Sequence, residues 1–415
     1  MAMTSASPVP AEPSEGRTWV QRLTEKEPIL ALVTLAATLR AFRLGGTGGL
    51  IGDEVWYVQA ARVIAGVPVL MHHLPAGAKS GIDPNSEHPS LAKVVIAGMI
   101  RLMGDREIAW RIPSVVLGTL AVWLVYRVVL TLGGREARKQ AYFAAFILTF
   151  DNLFLIHGRI ATLDIYFVTI VLLATWLYLE DYLEIAAVVF GVAELCKGNA
   201  IGGLAAVMLY ELLQARSRWR HPSWPAIGRR VVVIGLFLAA FLLGLGALDC
   251  YFTEYRSPFD HLAHMREYHV GFRRTSSSGT ESTPFEWWLN EGAFDYYTVT
   301  APTKHLLFRA AMNFYVIAAA PVALVYAAQK AWTARSPVGT FAVASVVANF
   351  LPVFLAWAIF SRASYIYYLV PVIPAMACAL ALLFCSGPRL LRWAFVGTVL
   401  YAFVLSYPIK LFSWI

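Results

Sequence analysis

The sequence predicts an all-α integral membrane protein, and three observations predict it. Of 415 residues, 58% are hydrophobic and only 14% are charged, against about a quarter charged in a soluble domain. The apolar residues fall in blocks near the ~20 residues that a helix needs to cross a ~30 Å hydrocarbon core. Many of the basic residues behind the formal net charge of +8 lie in short segments between those blocks. That is the pattern of a membrane protein, and no nucleic-acid partner is expected.

Residues 1–27 are polar and contain Pro, Ser and Glu. They lack the basic stretch, apolar core and small-residue cleavage site of a secretory leader, and are expected to form a cytoplasmic N-terminal tail. Residues 28–415 then make a single transmembrane domain. About eleven spans are expected: 28–44, 111–132, 140–157, 160–179, 183–196, 200–213, 231–251, 306–328, 338–360, 365–384 and 393–411. Basic residues cluster in alternate loops, at Arg135, Arg138 and Lys139, at Arg216 to Arg230, at Lys330 and Arg335, and at Arg389 and Arg392. Retention of Lys and Arg on the cytoplasmic side puts the N-terminus inside. Two long loops, 45–110 and 252–305, then lie outside, and long loops are where function concentrates. Cys196, Cys250, Cys378 and Cys385 lie in or beside apolar segments without metal-ligand spacing, so free thiols are expected.

The first long loop opens with "GGLIGDEVWYVQAARVIAGVPV". Residues 54–65 have helical spacing, and Gly66 and Pro68 stop the helix. A second helix is expected over 89–103. At ~1.5 Å per residue it reaches only ~20 Å, too short to span, so both helices are placed at the interface. Asp53 and Glu54 then sit at the rim of the bilayer, where a charge escapes the ~2.5–3.5 kcal/mol cost of the bilayer centre. A helix-start cap accounts for one acid. Two adjacent acids point to a site.

In chain order, "GDEVWY", "EHPSLAKVVIAGMIRLMGD", "AWRIPSVVLGTLAVWLVYRVV", "HGRIATLDIYFVTIVLLATWLY", "AELCKGNAIGG", "HMREYHVGFRRTSSSGTESTPFEWW" and "SRASYIYYLVPVIPAMA" resemble the protein O-mannosyltransferase family. That family has the GT-C glycosyltransferase architecture. The resemblance covers most of residues 44–377 and implies a polyprenyl-phosphate-linked sugar donor with an acceptor on the outer side. Asp53 matches the family's catalytic acid, Glu54 its acidic neighbour, and Arg111 the arginine that follows the interfacial helices. His88, Pro89 and Lys93 match its "HPPLAK" element, with Ser90 in place of the second proline. Glu87 stands one position away from a family Asp. Asp164 matches a recurrent family position, although a structural pair with Arg159 is preferred for it. The compact length resembles prokaryotic members and implies a plasma-membrane protein. The aminoarabinose transferase of lipid A shares the first-loop architecture and competes.

A lipid phosphate leaves without a general acid, so one carboxylate suffices to deprotonate an acceptor hydroxyl in an inverting transfer. Asp53 is assigned as base, with Glu54 orienting a substrate or raising the basicity of Asp53. Cations stabilise the departing phosphate, with Arg111, Lys93 and Arg362 as candidates. Glu87, His88 and Asp164 are taken as acceptor or sugar contacts. Trp287 and Trp288 either stack on a sugar or anchor at the interface. No cofactor is required; a divalent metal at Asp53 and Glu54 is compatible with the reaction but not needed by it. Protein Ser/Thr is the first acceptor, and a lipid or glycan the second. The rival class is a flippase for a lipid-linked substrate, which would hold its polar sites near mid-membrane.

Overall fold

The computed structural model describes residues 29–68, 78–216, 224–274, 279–301 and 304–410. The expected tail at 1–27 lies outside them. Helix α1 (Ile29–Ala41) leads into the first long loop, which carries α2 (Glu54–Ala65) and α3 (Leu91–Met103). Then come α4 (Glu107–Gly133), α5 (Arg138–Phe150), α6 (Asn152–His157), α7 (Leu163–Leu179), α8 (Leu183–Glu194), α9 (Ile201–Gln214) and α10 (Trp224–Phe252). The second long loop holds α11 (Pro258–Gly271), the single turn α12 (Pro284–Trp287) and strands β1 (Phe294–Ala301) and β2 (Lys304–Ala310). Helices α13 (Phe314–Thr333), α14 (Pro337–Phe360), α15 (Ile373–Ser386) and α16 (Arg389–Ser406) follow, and β3 (Ile409–Lys410) comes last.

Among the described residues, five helices are long and apolar enough to cross a membrane: α4, residues 227–252 of α10, α13, α14 and α16. Four shorter apolar helices, α1, α7, α9 and α15, pack with them. Helix α4 lies against α1, α5 and α7, while α15 is wedged between α5, α13 and α14. The core there is built from Tyr126, Leu148, Phe154, Met376 and their neighbours. The cysteines are free thiols.

Three expected spans change shape. The span 140–157 breaks at Asp151, whose Oδ1 accepts from Phe154 N at 2.9 Å and so caps α6. Its Oδ2 accepts from Asn313 N at 2.9 Å. Asn313 in turn caps α13 through Tyr315 N. The span expected from 306 therefore starts at Phe314, and Lys304–Ala310 is strand β2. The sheet order is β1-β2-β3, all antiparallel, with Leu306 opposite both Val299 and Ile409. The chain is thus not wholly α-helical. The span 365–384 becomes a 3₁₀ turn at Ile366–Leu369 and then α15, because Pro371 and Pro374 lack the N–H that a continuous helix would need. The two short loop helices stand within two residues of their expected limits, and Gly66 closes α2 in the left-handed conformation at φ 74°.

Asp151 joins two helix starts, so Asp151→Ala should lower stability by about 1–2 kcal/mol. Thermal unfolding of the detergent-solubilised protein checks this.

Candidate active site

Glu54 and Arg111 form the foundation of the site. Arg111 Nη2 donates to Glu54 Oε2 at 2.6 Å and Nε to Oε1 at 2.8 Å. Glu54 also accepts from the backbone N–H of Ile51 and of Ala161, at 2.9 and 2.8 Å. Arg111 further donates to Leu44 O, Thr47 Oγ1 and Gly49 O. Glu54 is 0% exposed and Arg111 1%. Both groups are saturated, and neither lines the cavity. The pair instead staples the turn before α2 to α4 and to the start of α7.

That turn aims Asp53. Gly52 has φ +54° and lies so close to Tyr296 that an added Cβ would stand 2.5 Å from the ring. The Asp53 side chain does not cap α2; it lines a cavity of about 1110 Å³. Burial, the largest influence, pushes its carboxyl up to about 6. The Lys197 ammonium holds it down, and the carboxylates of Asp164 and Glu87 push it further up.

Lys197 is the residue that reading the sequence missed. It follows α8, and its Nζ lies 2.7 Å from Asp164 Oδ1 and 5.7 Å from the centre of the Tyr367 ring. Its signal was present: a lone cation in "AELCKGNAIGG", between two short apolar helices, is costly unless it has a role. Arg159 does not take the expected partnership with Asp164; it donates to Phe42 O and the Tyr407 hydroxyl.

Arg362 also lines the cavity. It donates to His269 O and lies 3.0 Å from His269 Nδ1. Burial, then Arg362, brings His269 down to about 4. Glu87 and His88 line the same wall. The His88 ring lies 5.2 Å from that of His269, and burial, then Lys197, lowers it well below the usual imidazole range. Tyr365 and Tyr367, stacked 5.3 Å apart, Tyr296 and Phe294 complete the aromatic lining. The cavity reaches an apolar flank at Phe241, Val353 and Ala356.

Two other expected roles are not supported by position. Lys93 is buried against Asp83 at 2.7 Å and donates to Asn85 O and, at 3.0 Å, to His88 O. It shapes the loop beneath Glu87 and His88 and does not reach the cavity. Trp287 is fully buried, with Nε1 donating to Ser282 Oγ at 2.9 Å, and Trp288 packs on Phe350. Both belong to the packing behind the site. Asp53 and Glu54 do not form a metal pair, because Glu54 faces a guanidinium and two amides. Among the described residues no group of three or more His, Cys, Asp or Glu is arranged to hold an ion.

Loops from several helices thus converge on a cavity that holds the Asp53 carboxylate and the cations Lys197, Arg266 and Arg362, and solved structures share this fold. The fold is that of the GT-C glycosyltransferases. ArnT from Cupriavidus metallidurans bound to undecaprenyl phosphate superposes with a TM-score of 0.62 at 16% identity, covering 91% of this chain and 63% of that one. The Saccharomyces cerevisiae Pmt1-Pmt2 complex bound to its sugar donor gives 0.70 at 12% identity, covering 91% and 88%. The Archaeoglobus fulgidus oligosaccharyltransferase gives 0.55 at 14% identity, covering 92% and 56%. This chain thus spans less than two thirds of the length of ArnT. The sequence model of the dolichyl-phosphate-mannose-protein mannosyltransferase family matches residues 87–243, less than half of the chain. No curated protein matches the chain by sequence.

Arg111→Met would leave the Glu54 carboxylate buried without its counter-charge, at a cost of about 3–5 kcal/mol. Asp53→Asn, at a side chain open to the cavity, should leave the unfolding midpoint nearly unchanged. Denaturation of the two purified variants in parallel distinguishes the roles of the adjacent acids.

Proposed function

We propose that this chain is an integral-membrane glycosyltransferase that moves a sugar from a polyprenyl phosphate to an acceptor hydroxyl with inversion. The observation that supports it most is the Asp53 carboxylate, free of the helix and raised by burial, facing a cavity that also holds Lys197 and Arg362. Asp53 takes the proton of the acceptor hydroxyl. The acceptor oxygen bonds to the anomeric carbon as the bond to the phosphate oxygen breaks, and the electron pair leaves on the lipid phosphate. Lys197 and Arg362 stabilise that added charge, most strongly where water is excluded. Glu87 and His88 face the sugar or the acceptor. The flank at Phe241, Val353 and Ala356 gives the lipid tail a path to the bilayer. No step needs a metal.

Mannose as the sugar, and protein Ser/Thr as the acceptor, rest on the family model and the Pmt1-Pmt2 likeness. The ArnT likeness favours a second reading, in which the acceptor is a lipid or a glycan. The basic loops support a cavity facing the outside of a prokaryotic plasma membrane, with a cytoplasmic N-terminus.

Purified protein given radiolabelled polyprenyl-phosphate mannose and Ser/Thr peptides should transfer label. Asp53→Asn should lose at least roughly 10²-fold in rate while remaining folded. Normal transfer by Asp53→Asn would overturn the base assignment, and lipid translocation without transfer would favour a flippase. The rate should also fall as pH drops through about 6, where Asp53 takes up a proton. Lys197→Gln removes the cation that opposes this uptake, so its acid limb should move to higher pH. A pH–rate profile of both proteins checks the direction.

A further inference from the structure

The wall that carries Glu87 and His88 is held from behind by a buried histidine. His261, in α11, is 0% exposed. Its Nδ1 lies 2.7 Å from Asp249 Oδ1, in the last turn of α10. Its Nε2 lies 2.9 Å from the backbone carbonyl of Ser86. Carboxylate and carbonyl oxygens both accept, and a neutral imidazole has a single N–H. Against an ionised Asp249, both bonds are made only when the ring carries both protons.

The surroundings hold the ring in this geometry. Tyr255 stacks on it at 4.4 Å and 12°, and the Tyr255 hydroxyl lies 2.9 Å from Ser86 Oγ. Asp83 N donates to Phe252 O at 2.7 Å, a second tie between the loop and the end of α10. The titratable groups around the ring come from each packed element. They are Asp249 from α10, Tyr255 from the connecting turn, Asp83 and Glu87 from the first loop, and His264 from α11 itself, whose ring is 5.6 Å from Tyr255. Lys93 of α3 is already paired with Asp83. Burial raises the Tyr255 phenol, its hydrogen bond with Ser86 opposes the rise, and the charges of Asp249, Asp83 and Glu87 add to it.

We propose that His261 is a positioning residue. As the doubly protonated imidazolium it ties the Ser86–His88 wall to Asp249, and loss of one ring proton releases that wall from α10. The regulatory meaning rests on the reading of this cavity as the transferase site; the tie itself does not. Its sign follows from the chemistry: the wall is held at low pH and loosens as pH rises.

Hydrogen exchange over residues 83–90, corrected for intrinsic exchange, tests it in the full-length protein between about pH 6 and about pH 9. The wild type should lose about tenfold in protection through a one-proton transition, the worth of one hydrogen bond to a charged group. His261→Gln should show the lower protection with no transition. In Asp249→Asn the transition should move to lower pH, because the carboxylate that favours the cation is gone. A flat wild-type profile, a transition that persists in His261→Gln, or one that does not move in Asp249→Asn would each overturn the proposal. With labelled donor, KM should rise over the same pH range in the wild type and not in His261→Gln. Absence of transfer by any variant would count against the transferase reading and leave the exchange result to decide the tie.

Discussion

The candidate site depends on a buried ion pair that does not line its cavity. Glu54 and Arg111 are both out of water, and each spends its hydrogen-bonding capacity on the other and on nearby backbone. Such a pair adds little net stability against an apolar substitute, but it is costly to break and therefore fixes geometry. Here it fixes the turn at 44–54. Of two neighbouring carboxylates, one is locked inside the protein and the other is turned, by the left-handed Gly52, into the cavity. The adjacent acids thus have opposite fates, one holding the turn and the other facing the cavity.

The same economy governs the cations. Lys93 and Arg111 are buried against Asp83 and Glu54, so they build walls. Lys197 is paired as well, yet it stands in the cavity, held by Asp164 on one side and open toward Asp53 on the other. A single ammonium is thereby coupled to both carboxylates. Arg362, half-buried, reaches the cavity from the far end of α14 and is braced on His269.

How much of this was legible depended on the range of the interaction. Helix α2 was readable to the residue because its start, its spacing and its stop at Gly66 and Pro68 are all local. Asp53 was readable because two acids beside an apolar span are anomalous in themselves. The hairpin β1–β2 was not, since Leu306, Leu307 and Phe308 run on into the apolar residues of α13 and hide the alternation of a strand. Lys93 was expected at the cavity and Lys197 was passed over for a related reason. Both are cations beside short apolar helices, and only distant partners, Asp83 for one and Asp164 for the other, decide which faces the cavity. Trp287 offered no sequence signal to separate an aromatic platform from a core filler.

The short sheet carries a topological consequence. Strands β2 and β3 hydrogen-bond to each other, so they lie on the same side of the bilayer. Four helices, α13 to α16, separate them, and only an even number of crossings returns a chain to its starting side. The same parity holds earlier. The start of α4 meets the turn at Ala161 after the excursion of α4 and α5, Asp164 meets Lys197 after α7 and α8, and Ser86 meets His261 once α9 and α10 have come back. These contacts bring the returning ends of successive helices to one face, and the return of α7 and α8 brings Lys197 to the cavity.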